Sequence, residues 1–132
     1  MPKASEHLAK VRSNKSVLNH LGDASSTKFP DWYVTVVYYT ALHCIEAIFD
    51  QEKRWHTTSH KQRDEKLLKN FPAIDAEFKK AYWRLYQQSW EARYMSNLKT
   101  QIRNDECEDA LKNLTIIENE CKNSYFPNYP YL

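Results

Sequence analysis

The chain has 132 residues, a single glycine and a formal net charge of +2. That length suits one domain with its own core, and one glycine excludes an all-β protein built on tight turns. The near-balanced charge excludes nucleic-acid binding by bulk positive charge and leaves only a local patch to consider.

Nine Tyr and four Trp offer large side chains that can interdigitate in a small core. Cys44, Cys107 and Cys121 are widely separated, with neither a CxxC pair nor a zinc-like spacing. They read as reduced, buried thiols of a cytoplasmic protein. The opening residues MPKASEHLAKVR contain no apolar stretch of the kind a signal peptide needs. Thr40, His43 and Glu46 interrupt the longest apolar run, so no membrane span is expected.

In chain order, Ala4, Leu8, Val11, Leu18 and Leu21 recur at helical spacing and predict a first helix over Ala4–Leu21, ended by Gly22. The link that follows is polar. Pro30 and Asp31 suit the first turn of a second helix. Its apolar face is expected to include Trp32, Val36, Val37, Ala41, Cys44, Ile45 and Ile48. The β-branched run Val34–Val37 lowers intrinsic propensity, and burial is expected to override it.

Ser59 is a good N-cap for a short third helix, which Asn70, Phe71 and Pro72 stop. A fourth helix is predicted over about 73–95, with Phe78, Ala81, Tyr82, Leu85, Ser89 and Ala92 inside. A fifth over about 100–122 carries Cys107, Ala110, Leu111, Leu114, Ile117 and Cys121. The fold expected is therefore all-α, an up-and-down bundle of four to five helices formed by residues 1–122. Residues 123–132, NSYFPNYPYL, hold two prolines and read as an extended aromatic tail. Such a tail either wraps its own domain or docks a protein partner.

Chemistry concentrates between Phe29 and Arg63. Tyr39, His43, Glu46 and Asp50 are spaced four, three and four apart, which places them on one face of the second helix. Such a stripe is ordinary where a helix edge meets water, and it also suits supports for a neighbouring site. The connector adds Arg54, His56, His60 and Arg63. A His/Arg pair can supply a base for an RNA 2′-hydroxyl and a cation for the developing phosphorane charge, without a metal. The plainer alternative is a solvated basic loop. Zinc would find His56 and His60 but no third ligand at suitable spacing, so neither metal nor cofactor is expected. Arg93 and Tyr94, at the end of the fourth helix, would approach the stripe if the second and fourth helices are neighbours.

The order YYTALHCIEA, then SHKQR, then SWEARY resembles HEPN domains, over about residues 30–95. It is most similar to the group with YYxALHxxEA, SHxxR and SxxARY elements. The resemblance implies a helical bundle of four or five helices that usually dimerises. HEPN proteins include metal-independent ribonucleases, often toxins or antiviral effectors, and inactive members that bind nucleotides or partner proteins.

The resemblance implies a HEPN-like dimeric module binding a partner, a nucleotide or RNA, in a defence or toxin–antitoxin setting. The alternative is an endoribonuclease whose His/Arg site is shared across the dimer. The candidate site is His60, Arg63, Arg54 and Arg93, supported by Tyr39, His43, Glu46 and Tyr94. Arg54 and His60 have five residues between them, the spacing of the Arg–His motif of active members. That family motif lies later in the bundle, where this chain has SWEARYMSN with no His after Arg93.

Overall fold

Helix α2 (Pro30–Lys53) is apolar on almost every side, and the bundle is built around it. A helix with this much apolar surface must be central. Tyr33, Val34, Val37, Ala41, Cys44, Ile45, Ala47, Ile48 and Phe49 are all buried, which explains how the β-branched run stays helical. The computed structural model describes residues 2–71, 74–95 and 102–130. Among these there are five α-helices and no strand: α1 (Ala4–Leu21), α2, α3 (His60–Asn70), α4 (Ala76–Trp90) and α5 (Asn104–Glu120). Helices α1, α4 and α5 pack on α2, α4 packs on α5, and short α3 lies against α4. The all-α bundle expected from periodicity is therefore present. None of the described helices is long and apolar enough to cross a membrane.

The ends of the helices follow from local chemistry. Gly22, at φ 95°, closes α1 in a conformation that L side chains rarely adopt. Thr27 holds the following link by donating to the Leu21 carbonyl at 2.6 Å, and the Asn104 amide of α5 donates to the Ala24 and Thr27 carbonyls. Ser59 caps α3 by accepting from Gln62 N, and Asp75 caps α4 by accepting from Phe78 N. Glu106 accepts from the Arg103 N–H at the start of α5.

Several expectations are corrected. Helix α4 begins at Ala76 because Asp75 caps it, and it gives way to a wider π-helical turn over Glu91–Met95. The predicted first residues of the fourth and fifth helices, 73 and 100, lie outside the described residues. Trp32, placed on the buried face of α2, is 64% exposed. Leu111 is likewise exposed on α5. Each sits at the border of its helix's apolar stripe, where periodicity alone cannot tell inside from outside.

The tail is not extended from its first residue. Cys121–Tyr125 continues α5 as a second π-helical turn. Beyond it Phe126 and Tyr129 pack on the core, Tyr129 donates from its hydroxyl to the Leu8 carbonyl, and Gln51 donates to the Tyr125 carbonyl. Up to residue 130 the tail lies on its own bundle. All three cysteines are free and buried, and burial pushes the Cys107 thiol up to about 11.

Candidate functional site

The connector between α2 and α3 is shaped by three anchors. Arg54 ends α2 in the left-handed region at φ 55°. Trp55 packs on Phe49 and Phe71, with the Lys66 ammonium 4.0 Å above its ring. Thr57 then bonds Glu46 of α2 through both its hydroxyl and its backbone N–H. Together these aim the first turn of α3 back at the bundle.

Arg63, one turn into α3, therefore points inward. Its Nη1 donates to Glu46 Oε1 at 3.3 Å and to Thr57 Oγ1 at 3.1 Å. Its Nε donates to the Tyr82 hydroxyl at 3.1 Å. Glu46 and Arg63 are only 3% and 7% exposed, so the pair is a buried ion pair with further hydrogen bonds. Burial opposes the Arg63 charge, but the Tyr82 and Tyr38 hydroxyls outweigh it and hold the guanidinium above its ordinary range.

His60, at the start of α3, lies flat on Tyr86, with ring centroids 3.4 Å apart and planes 4° from parallel. Its Nδ1 is 3.0 Å from the Tyr82 hydroxyl. Burial lowers its pKa; Arg63 adds to that shift, and Asp64 opposes it.

Arg93 arrives from the π-helical turn after α4, a kind of winding often found at functional sites. Ser89 accepts from its Nε and Nη2, and the Tyr39 hydroxyl is 3.1 Å from Nη1. Its Cζ lies 5.2–5.7 Å from the Tyr38, Tyr39 and Tyr94 ring centres. No carboxylate pairs with it among the described residues.

These groups surround a cleft of about 320 Å³. Helix α2 contributes Tyr38, Tyr39 and Leu42, and the connector with α3 contributes Thr58, Ser59, His60 and Arg63. The end of α4 contributes Tyr86 and Trp90, and the π-helical turn after it contributes Arg93 and Tyr94. Of the eight residues singled out in the sequence, His60, Arg63, Arg93, Tyr39 and Tyr94 meet here. Glu46 stands behind Arg63.

Two of the eight go elsewhere. The Arg54 side chain is 80% exposed and pairs with Asp50 at 3.8 Å, outside the cleft. His43 turns to α1, where its Nδ1 lies 2.9 Å from Nδ1 of His7. Burial, with the charges of His7, Lys10 and Arg63, pushes the His43 pKa down to about 4. Asp50, the last of the polar stripe, accepts from the Ala4 N–H at 2.7 Å and so caps α1 from α2. The polar face of α2 thus serves three neighbours rather than one site.

Sequence reasoning took Tyr82 as core and did not single out Tyr38, Tyr86 or Trp90. The available signal was tyrosine at buried helical positions, because a buried phenol needs a hydrogen-bond partner. Among the described residues, no group of three or more His, Cys, Asp and Glu side chains is placed to hold a metal ion.

Fold and cleft define a class: an all-helical bundle with an aromatic-walled His/Arg cleft. Comparison of the chain with models of known protein families, with curated proteins and with solved structures found no match.

Proposed function

We propose that this chain is a HEPN-like helical module whose cleft binds a nucleotide or an RNA strand, acting as a homodimer in a toxin–antitoxin or defence setting. The observation that carries the reading is Arg93, a cation without a carboxylate partner among the described residues, set among the rings of Tyr38, Tyr39 and Tyr94. A guanidinium of this kind suits a phosphate, and flanking aromatic faces suit bases of any sequence. Arg63 contributes less to phosphate binding, since Glu46 already neutralises it.

The test is binding of a short fluorescent oligoribonucleotide and of AMP to the purified protein. Arg93→Gln is expected to weaken binding about tenfold, the scale of one lost charged hydrogen bond. A wild-type protein that binds neither ligand at low salt ends the reading.

A second reading, a metal-independent endoribonuclease with His60 as general base, has one observation in its favour. Burial lowers the His60 pKa and so favours the neutral ring that a base must present. In the same assay, RNA left intact in EDTA by the wild type removes it. Cleavage that survives His60→Ala moves the chemistry elsewhere.

A further inference from the structure

We propose that Tyr82 is a positioning residue that holds His60 as the tautomer with its proton on Nε2. The Tyr82 hydroxyl has three neighbours: Arg63 Nε at 3.1 Å, His60 Nδ1 at 3.0 Å and the Tyr38 hydroxyl at 3.4 Å. It has one proton to give. Burial raises the Tyr82 pKa, so that proton stays in place.

Arg63 Nε can only donate, so the phenol oxygen accepts there. Accepting from a cation polarises the phenol and makes its own O–H a stronger donor. The choice of acceptor then lies between an imidazole nitrogen at 3.0 Å and another phenol oxygen at 3.4 Å. The imidazole is both the stronger base and the nearer, so Tyr82 donates to Nδ1 and accepts from Tyr38. This way Arg63 Nε, His60 Nδ1 and the Tyr82 proton each have a partner at 3.0–3.1 Å. In the opposite arrangement, His60 Nδ1–H and Arg63 Nε–H would both donate to the phenol oxygen. The Tyr82 proton would be left with the long contact.

The consequence for the cleft rests on the ligand reading above. With Nδ1 engaged, His60 meets a ligand through Nε2–H, as a donor. With Arg93 it makes a two-donor site for an oxyanion such as phosphate. In this tautomer the ring has no lone pair free to accept a proton in the cleft, which favours binding over base catalysis. The arrangement follows a general rule: the partner of one ring nitrogen decides what the other can do.

Long-range proton–nitrogen NMR of the free protein at neutral pH reads the tautomer directly. His60 is expected to show the Nε2–H pattern in the wild type and in Tyr38→Phe, which removes only the competing hydroxyl. In Tyr82→Phe the single pattern is expected to be lost. An Nδ1–H pattern in the wild type, or a change of pattern in Tyr38→Phe, overturns the proposal. So does a folded Tyr82→Phe that keeps the Nε2–H pattern. If Tyr82→Phe does not fold, the other two spectra still decide.

Titration with inorganic phosphate and with AMP then tests the consequence. A shift of the His60 Nε2 resonance with either supports an oxyanion donor, and a response to AMP alone assigns the nucleotide as the source. If the tautomer is as assigned and neither ligand shifts it, the tautomer assignment stands and the nucleotide reading fails.

Discussion

Glu46 and Arg63 show how one pair can serve both the fold and the cleft. Both are buried, and Arg63 ties the connector (Thr57), α4 (Tyr82) and α2 (Glu46) together at the floor of the cleft. Removing one member leaves the other as an uncompensated buried charge, whereas removing both leaves an apolar gap. Glu46→Leu and Arg63→Met are each expected to lose about 3–5 kcal/mol in urea unfolding. The double variant is expected to lose clearly less than the sum. Additive losses would mean that the two side chains act independently. Arg93 is the contrasting case: among the described residues it is tied only to neutral oxygens, so its charge remains available. The spacing of SHKQR and SWEARY marked both arginines in the sequence but could not rank them. Rank depends on whether a carboxylate lies across the gap, and Glu46 is 17 positions from Arg63.

At the scale of elements, α1 lacks a side-chain cap of its own: Lys3 occupies the cap position and provides none. Asp50 does that work from α2, placing a carboxylate at the positive end of the α1 dipole. Asp50→Ala is expected to destabilise the protein by about 1–2 kcal/mol, as loss of a helix cap does. The loss should be localised. Hydrogen exchange is expected to speed up in the first turns of α1 while the centre of α5 keeps its protection. Uniform acceleration would show that Asp50 matters to the whole bundle rather than to one helix end. Helix α1 was legible to its last residue because its apolar spacing and Gly22 agree. The cap was not legible, because it comes from a residue 46 positions away.

At the scale of the whole molecule, the histidines couple folding to pH. Burial lowers the pKa of His7, His43 and His60, that of His43 to about 4. In the unfolded chain these groups titrate near 6.5. As pH falls from about 6.5 toward 4, the unfolded chain binds protons that the folded one refuses, so stability falls. Below about 4 the His43 contribution is complete and falls no further; above 6.5 it is absent. Glu46 and Asp50 face the His7–His43 pair and temper the effect on His7, while Lys10 and Arg63 add to it on His43. A series of unfolding midpoints from pH 7 to 4 should therefore slope downward in the wild type and more gently in His43→Gln. An unchanged slope in that variant would remove His43 from the account.

The sequence by itself determined the helices, most of their inner faces and the residues worth suspecting. These are local properties: periodicity, caps and the grouping of His and Arg within a few turns. Tertiary structure decided which of the suspects meet. His60, Arg63, Arg93, Tyr39 and Tyr94 share a cleft, while Arg54 turns to solvent and His43 turns to His7. The reason is geometric. Adjacent positions on one helix face fan toward different neighbours once α1, α3 and α4 are docked around α2, and no spacing along the chain encodes that division. The same holds for Tyr82. In the sequence it is one apolar position among several, and only the packing of α3 on α4 turns its hydroxyl into the junction between Arg63 and His60.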